Sequence, residues 1–520
     1  MIPTLNNSLY AADVLGSHRY GGILLHPTSL PGKFGIGDLG PNLYRFIDFL
    51  FRFGQQIWQI LPLGPTGYGD SPYQSFSAFA GNPMLISPEK ICELGLLSSE
   101  EVGTCQFPDS RVDYGKVIPY KWTLLEQAFE KLNRMKPTGL QQQLTDFEKI
   151  QHYWLEDYAL FMSLKKAFDF KAWNTWEDPY KFREEKFLLK WKKDNADQIQ
   201  FHKFVQFLFF KQWSEIRKYA NQKNVKIIGD IPIFVAYDSA DVWASKNLFS
   251  LDSYGELLSV AGVPPDYFSE TGQRWGNPLY QWDVLKKQNY KWWLDRIRHN
   301  FSLVDLLRID HFRGFEAYWQ IPADEPTAEV GKWLPGPGID LFLTLKQELG
   351  PLPIIAEDLG VITPSVKDLL SKTGFPGMRV LQFAFGDNQE EIPEVRFLPH
   401  NYIKNTIVYT GTHDNDTTVS WFKTASKGIQ DHVHRYLNSN NEDVVGDLIR
   451  LIWSSIAQMS VIPLQDLLRL SNEGRMNHPG TESGNWEWRF RWEQLKDDKG
   501  REIARLSEIY ERIGKIKSDR

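Results

Sequence analysis

The chain has 520 residues, with 59 Lys plus Arg against 65 Asp plus Glu, and therefore a formal net charge of −6. A mildly acidic chain without a long basic run is poorly suited to neutralising phosphate backbones, which argues against nucleic acid as a partner. Its two cysteines, Cys92 and Cys105, exclude a disulfide framework and a Cys-rich zinc site, and they fit a reducing compartment.

Eight short apolar segments, each bounded by Gly, Pro or a polar cluster, follow one another along the chain. They cover residues 21–29, 57–64, 225–235, 303–311, 352–360, 378–387, 406–414 and 461–468. Each is almost continuously apolar instead of alternating, which is typical of parallel strands buried on both faces. Helical patterns lie between several of them, at 43–54, 290–301 and 445–458. The pattern predicts an α/β fold, a (β/α)8 TIM barrel.

Two connections between the predicted strands are too long for simple crossovers. The first is strongly helical over 120–220, and we predict a mainly helical inserted subdomain at 85–222 between strands two and three. The second, 236–302, contains a stretch at 259–280 that is punctuated by Gly and Pro, and a loop of this length is usually a lid or a binding loop. The tail after residue 490 is charged and helical. We therefore expect one catalytic barrel domain over 1–520, without a C-terminal β-domain.

Polar side chains stand at the ends of four predicted strands, where a barrel builds its active site. The third strand ends in Asp230, the fourth in Arg308 and Asp310, the fifth in Glu357, and the seventh in His413 and Asp414. Facing carboxylates repel each other, and they are tolerated where one holds a proton and another stays ionised beside a cation. At any single strand end a salt bridge is an equally good interpretation, but four such ends at one rim favour a site.

A pair of carboxyl groups with these properties is what glycosidic bond cleavage requires, one as nucleophile and one as acid. Arg308 stands two residues before Asp310, on the same face of the strand, and would keep that carboxylate ionised. Glu357 has the longer side chain and follows the apolar "PIIA", so it is the better candidate for the acid. Asp414, with His413 beside it, could hold the ring hydroxyls of a distorted sugar.

The 19 Trp, 33 Phe and 21 Tyr residues fit either large aromatic cores or sugar binding, because sugar rings pack on aromatic faces. The loop at 64–83 is either a sugar-facing segment or an ordinary Gly/Pro turn; its candidate contacts are Tyr68, Ser71, Tyr73 and Gln74. "GIGDLG" at 35–40 lacks the strand context of a dinucleotide site. No ligand spacing supports a metal site. We expect no cofactor and no metal.

Nine motifs between about residue 20 and residue 495 carry a family resemblance. They are "GILLHPTSLPGKFGIGDLG", "GDSPYQSFSAFAGNP", "GDIPIFVAYDSADVW", "RWGNPLYQWD", "RIDHFRGFEAYW", "AEDLG", "GMRVLQFAFG", "TGTHDNDT" and "GNWEWRF". Together they resemble glycoside hydrolase family 77, the amylomaltases or 4-α-glucanotransferases, in the broader α-amylase clan. The Asn-His pair that typical α-amylases carry after the third-strand Asp is absent, as is usual for this family.

The resemblance implies roles for individual residues. It makes Asp310 the nucleophile, Glu357 the general acid/base and Asp414 the transition-state carboxylate, with Arg308 and His413 orienting these groups and the sugar. Implied substrate contacts are Tyr73, Asp230, Asp266, Glu270, Trp275, Phe383, Asp387 and Asn485, with Tyr68 at a second, outlying glucan site. Ser71, Gln74 and Asn277 complete the candidate substrate contacts.

The expected reaction is transfer of α-1,4-glucan segments from a maltodextrin to the 4-hydroxyl of glucose or another glucan, by a retaining double displacement. An α-glucan hydrolase on the same site, or a non-catalytic glucan-binding protein, are the alternatives. Expected partners are maltooligosaccharides, amylose, and starch- or glycogen-derived glucans, with glucose as acceptor or product, but no membrane. The first 30 residues lack a secretory signal, so we expect the cytoplasm, or the plastid stroma after removal of a transit peptide.

Overall fold

The computed structural model describes residues 9–10, 16, 18–103, 105–265, 269–386, 395–439, 442–481 and 483–513, without the side chains of Tyr68 and Val395. The strands are β1 Tyr20–Leu24, β2 Ile57–Gln59, β3 Lys226–Pro232, β4 Ser259–Val263, β5 Gln273–Pro278, β6 Leu306–Asp310, β7 Ala317–Pro322, β8 Lys332–Pro335, β9 Ile354–Ala356, β10 Gly377–Val380, β11 Thr406–Tyr409 and β12 Met459–Pro463. The helices are α1 Pro41–Arg52, α2 Pro88–Glu93, α3 Ser99–Val102, α4 Tyr114–Met135, α5 Thr138–Ala167, α6 Asp178–Lys181, α7 Glu185–Asp194, α8 Ala196–Gln222, α9 Ala240–Ala244, α10 Trp282–Lys287, α11 Lys291–Leu303, α12 Ile339–Leu349, α13 Pro364–Thr373, α14 Thr418–Thr424, α15 Lys427–Leu437, α16 Val444–Ser454, α17 Leu464–Leu467 and α18 Asp497–Ile509.

The larger sheet has eight parallel strands in the order β10-β11-β12-β1-β2-β3-β6-β9. The first and last of these strands along the chain, β1 and β12, pair with each other, with Tyr20 opposite Met459. Its two edge strands meet through a hydrogen bond of 2.9 Å from the Ala356 N–H to the Pro376 carbonyl, so the sheet is a nearly closed barrel. All eight predicted strands lie in this sheet, and the predicted (β/α)8 barrel is confirmed. Among the described residues after β12 the chain forms no further strand.

The ladders are shorter than the apolar segments that predicted them. The segment 57–64 pairs only over Ile57–Gln59, and β3 ends at Pro232, because proline has no N–H to donate to the next rung. The residues beyond each ladder leave the sheet as loops at its carboxyl end. This is why polar side chains that follow an apolar run come together at one rim.

The helix patterns also correspond to helices of the structure. In α1 the buried residues Leu43, Phe46, Ile47 and Leu50 recur at the spacing of one helix face, which turns towards the barrel. The predicted segments 290–301 and 445–458 correspond to α11 and α16. The Asp443 side chain accepts a hydrogen bond of 3.0 Å from the Gly446 N–H and so caps the start of α16.

Between β2 and β3 the chain runs through helices α2 to α8. The longest are α4, α5 and α8, with 22, 30 and 27 residues. Aromatic pairs join α4 to α8, with ring centroids 5.9 Å apart for Trp122 and Phe201 and 5.5 Å for Phe129 and Phe204. Fully buried tryptophans of the chain include Trp58, Trp173, Trp213, Trp243, Trp293 and Trp453. A large share of the aromatic content therefore packs the interior, where it cannot contact a sugar.

A second, antiparallel sheet in the order β5-β4-β7-β8 was not predicted from the sequence. The prediction that 259–280 is a loop is wrong at its two ends, because β4 and β5 form a hairpin there. The sequence pattern did not predict these strands because glycines interrupt them. At Gly262 a Cβ atom would lie 2.2 Å from the Gln273 carbonyl oxygen, so the close pairing needs a glycine. Among the described residues, no helix is long and apolar enough to cross a membrane.

Arg512, near the C-terminal end of the described chain, closes the amino-terminal face of the barrel. Its side chain is fully buried, and its guanidinium donates to six carbonyl groups. Their residues are Tyr20, Ile452, Trp453, Ser455, Ala457 and Gln458. Several of these carbonyls lie at strand starts or at the end of α16, where a helix leaves acceptors unpaired.

Replacing Arg512 with Ala should therefore lower the free energy of unfolding by about 3 kcal/mol or more, since several buried acceptors lose their donor at once. Urea denaturation measures the change. Arg505→Ala is the matched control, because Arg505 lies on α18 but is exposed, and it should change stability by less than about 0.5 kcal/mol. Equal effects of the two substitutions would contradict this role of Arg512.

Candidate active site

Four carboxylates predicted from strand ends lie at the carboxyl rim of the barrel. Asp230 lies within β3 and Asp310 ends β6, while Glu357 directly follows β9 and Asp414 lies on the loop after β11. In the ladder between β3 and β6, Asp230 is directly opposite Arg308. Parallel pairing of the strands therefore gathers side chains that are far apart in the sequence, as the pattern predicted.

Arg308 binds two of these carboxylates at once. Its Nη1 is 2.6 Å from Asp230 Oδ2 and its Nη2 is 2.7 Å from Asp310 Oδ1, while its Nε contacts Met378 Sδ at 3.2 Å. Burial lowers the pKa of Arg308, but the two carboxylates raise it well above its ordinary value, so the guanidinium is a permanent charge. The Asp230 side chain is 0% exposed and that of Asp310 is 32% exposed. Asp310 is thus the carboxylate of this pair that a substrate can reach.

Glu357 has a different environment from Asp310. Its side chain is buried, and its two oxygens each accept a backbone N–H at 2.7 Å, one from His311 and one from Leu359. Burial and then the nearby Asp310 carboxylate raise the pKa of Glu357 to about 8. At neutral pH this group therefore holds a proton that it can donate.

Asp358, the next residue, serves a separate purpose. Its Oδ2 is 3.0 Å from Arg379 Nη1 and its Oδ1 accepts the Met378 N–H at 2.6 Å. Arg396 also donates to it at 3.4 Å. These bonds tie the end of β9 to the start of β10, where the barrel ladder is weakest. Of the two acidic residues at this strand end, only Glu357 faces Asp310.

Tyr73, His413 and Asp414 form a second group beside Asp230. The Tyr73 hydroxyl donates to Asp230 Oδ2 at 2.9 Å and lies 2.8 Å from His413 Nε2. Because that hydroxyl donates to a carboxylate, the geometry assigns the His413 hydrogen to Nε2, pointing at the Tyr73 oxygen. Asp414 Oδ2 lies 3.3 Å from the same nitrogen, and the Asp414 side chain is 46% exposed. The arrangement leaves one more open carboxylate at the rim.

The small sheet touches the turn that follows Asp310. His311 has a left-handed backbone, with φ of 55°, which turns the chain sharply so that its N–H points at Glu357. Trp275 of β5 packs edge-on against the His311 ring, with centroids 4.8 Å apart. Burial and then Arg313 lower the pKa of His311 to about 3, so its ring is neutral. The hairpin of β4 and β5 therefore contacts Glu357 indirectly, through His311.

The remaining predicted contacts occupy varied places. Ser71 accepts the Tyr73 N–H and Gln74 closes the same turn through its backbone, and both are half-buried. Glu270 is exposed, and Phe383 packs on the Phe397 ring. The buried amides of Asn277 and Asn485 already bind the Val235 carbonyl and Thr481, respectively. Asp266, Asp387 and the Tyr68 side chain lie outside the described residues.

Three residues that the sequence reasoning did not single out complete the site. Trp486 lies 5.9 Å from the Tyr73 ring and 6.0 Å from the His413 ring, forming an aromatic wall. Asn477 Nδ2 donates to Asp414 Oδ1 at 2.7 Å. Asp466 accepts the Thr418 N–H at 2.8 Å and so anchors the loop that carries Asp414. Trp486 lies within the motif "GNWEWRF", but nothing in the sequence marked Asn477 or Asp466, because their contacts join distant segments.

Comparison with known proteins gives a consistent result over nearly the whole chain. A family model described as 4-alpha-glucanotransferase matches residues 25–495. A 4-alpha-glucanotransferase of Thermus thermophilus is 49% identical over 500 residues, covering 95% of this chain and 99% of the relative. A chloroplastic/amyloplastic 4-alpha-glucanotransferase of Solanum tuberosum is 43% identical, covering 96% of this chain and 87% of the relative. The structure of an amylomaltase from Streptococcus agalactiae in complex with acarbose superposes with a TM-score of 0.92, at 41% identity, over 95% of this chain and 100% of that one.

Proposed function

The chain belongs to glycoside hydrolase family 77, the 4-alpha-glucanotransferases, and we propose that Asp310, Glu357 and Asp414 carry out its reaction. The observation that supports this most directly is the contrast between two carboxyl groups at one rim. Asp310 is open to substrate and bonded to Arg308, whereas Glu357 is buried and protonated at neutral pH. This is the pairing of nucleophile and acid that a retaining glycosyl transfer needs.

In the first step Asp310 attacks the anomeric carbon of an α-1,4-linked glucosyl unit. The bond from that carbon to the bridging oxygen breaks, and Glu357 gives its proton to this oxygen as the shortened glucan leaves. A glucosyl ester on Asp310 remains, with inverted configuration. The positive charge of Arg308, 2.7 Å from Asp310 Oδ1, favours the ionised carboxylate that the attack requires.

In the second step Glu357, now ionised, takes the proton of the 4-hydroxyl of an incoming glucose or glucan. That oxygen attacks the anomeric carbon, the ester bond breaks, and Asp310 leaves as a carboxylate. Two inversions give net retention, so the new linkage is again α-1,4. Water is the competing acceptor, and a closed acceptor side would favour sugar over water.

The other groups at the rim are proposed to hold the substrate. Asp230 Oδ1 is buried without a hydrogen-bond partner among the described residues, so it is free to accept a hydroxyl of the donor sugar. Asp414 and His413, beside the aromatic wall of Tyr73 and Trp486, are suited to hold a distorted ring. Trp275 packs on His311, whose N–H bonds to Glu357, and supplies an aromatic surface suited to the acceptor. Further proposed contacts are Ser71, Gln74, Asp266, Glu270, Phe383 and Asp387.

The proposal extends to the two insertions, the substrates and the cell compartment. The helical segment 85–222 and the segment 236–302 are proposed as insertions into one catalytic barrel that frame the glucan cleft. Maltooligosaccharides, amylose and glucans derived from starch or glycogen are the proposed substrates, and the acarbose bound by the Streptococcus agalactiae amylomaltase supports this class. The free thiols of Cys92 and Cys105 support a reducing compartment, the cytoplasm or a plastid stroma.

Incubation with maltotriose tests the proposal. Transfer should produce glucose together with a ladder of longer maltodextrins, because each glycosyl ester is passed to another sugar. The products are separated by chromatography, and Asp310→Asn is the inactive control. Glucose and maltose without longer products would identify a hydrolase, and tight glucan binding without any product would identify a non-catalytic binding protein.

A further inference from the structure

Trp333, on the edge strand β8, is an exposed tryptophan that the catalytic site does not use. Its side chain is 38% exposed. Trp319 lies directly opposite on β7, with ring centroids 5.3 Å apart and ring planes at 62°. The Arg313 guanidinium lies 3.9 Å from the centre of the Trp333 ring, so one face of the indole is backed by a cation. The exposure of the side chain therefore lies away from Arg313.

The surroundings hold the indole in place. Arg313 is itself buried, and its Nη1 donates to the Val361 carbonyl at 2.6 Å. Trp319 Nε1 donates to the Ala328 carbonyl at 3.0 Å. At Gly331 a Cβ atom would lie 2.5 Å from the Trp319 ring, so a glycine is needed for the two indoles to pack as they do. A preorganised aromatic surface loses little conformational entropy when a ligand binds.

This surface is continuous with the active site through short pieces of chain. Arg313 follows Asp310 by three residues, and Val361 follows Glu357 by four. Trp275 packs on His311 from the other face of the small sheet, because the register places Trp319 and Trp333 on one face and Trp275 on the opposite one. The link through Arg313 and the Val361 carbonyl suits a sugar chain that leaves the catalytic centre past the edge strand β8 and continues over several units.

We propose that Trp333, backed by Arg313 and packed against Trp319, binds a remote glucose unit of a long α-1,4-glucan. The chemistry of the surface favours an uncharged ligand, because the Arg313 cation already stacks on the indole and donates to a carbonyl. An exposed aromatic ring whose other face is covered by Arg313 matches the C–H face of a pyranose. The choice of ligand rests on the proposed function.

The substitution Trp333→Ala tests the proposal. We expect KM for long maltodextrins to rise about three- to tenfold, which corresponds to the loss of one aromatic stacking contact. The kcat value and the KM for maltotriose should stay unchanged, since a short substrate does not reach β8. Phe187→Ala is the matched control, because Phe187 on α7 has the same exposure of 38% and should alter neither constant. Trp333→Tyr, which keeps an aromatic ring over Arg313, should behave closer to the wild type.

Binding is measured separately from turnover by electrophoretic retardation in gels containing amylose. The Asp310→Asn variant should be retarded strongly, and the double variant Asp310→Asn/Trp333→Ala should be retarded less. This comparison measures binding and remains valid even if the proposed catalytic roles fail. Equal retardation of the two variants would overturn the proposal. So would a matching loss with maltotriose, which would make Trp333 only a support for Arg313. A dimer in gel filtration that Trp333→Ala converts to a monomer would overturn it as well, by assigning the surface to a second copy of the chain.

Discussion

Replacing Asp310 with Asn is expected to lower kcat for transfer from maltotriose by at least about 10⁴-fold, because the nucleophile of the first step is lost. The substitution keeps the shape of the side chain. The amide oxygen of the new residue can still accept the hydrogen bond from Arg308 Nη2 that Asp310 now accepts at 2.7 Å. The fold should therefore persist, and the loss should be chemical. Initial rates of glucose release, together with urea unfolding curves, measure both properties.

Asp358→Asn is a control at the same rim. Asp358 is buried, like Glu357, but it binds Arg379 and the Met378 N–H, away from the exposed side of Asp310. Its replacement should lower stability by about 1–3 kcal/mol, because two arginines lose a charged partner, while leaving far more activity than Asp310→Asn. Comparable losses of kcat in the two variants would mean that rim charge, and not the nucleophile, limits the reaction. An inverted product anomer from the wild type would equally contradict the mechanism.

Replacing Glu357 with Gln should lower kcat on glucans by about 10²- to 10⁴-fold, since the leaving oxygen loses its proton donor. The loss should be much smaller for a glycosyl fluoride donor, whose leaving group needs little protonation. Because the pKa of Glu357 is raised to about 8, the proton needed for the first step is present below that pH and lost above it. The wild-type kcat/KM should fall above pH 8, and this fall should be absent in the variant. A profile that keeps it would assign the acid to another residue.

Stability provides a check that the Gln variant is folded. Burial raises the folded pKa of Glu357 from an ordinary 4.5, so between pH 4.5 and about 8 the folded state binds more protons at this site than the unfolded state. The free energy of unfolding contributed by this site therefore decreases as pH rises through that range. Glutamine does not titrate, and the variant should be more stable than the wild type by a few kcal/mol at pH 9 and similar at pH 5. Urea denaturation at both pH values measures the difference.

Asp310 and Glu357 share one rim but differ in how the fold surrounds them. Asp310 ends a strand whose preceding residues include Arg308, so its counter-ion comes from its own strand. Glu357 lies one residue beyond β9, where it is covered, and among the described residues its carboxyl group accepts hydrogen bonds from backbone N–H groups alone. Backbone donors do not supply the full charge of a guanidinium. The environment therefore distinguishes a nucleophile paired with a cation from an acid that burial keeps protonated.

The strand pattern was readable from the sequence because parallel barrel strands are buried on both faces. Each of the eight appears as a nearly continuous apolar run, and the polar residue that follows it marks the carboxyl rim. The pairing of Arg308 with Asp310 followed from their spacing alone, since alternate residues of a strand share a face. The motifs from "GILLHPTSL" to "GNWEWRF" pointed to the family without any structural information.

The small sheet was not readable, because its strands are short, interrupted by glycines such as Gly262, and drawn from segments on both sides of β6. Only the tertiary structure brings Asn477 to Asp414, Trp486 to Tyr73, and the His311 N–H to Glu357. The same holds for the ion pairs of Asp358 with Arg379 and Arg396. Local sequence determines periodicity and spacing, and so it determined the barrel and its rim of carboxylates. Which of them is open, which is buried and which is paired depends on long-range contacts, and only the tertiary structure decided that.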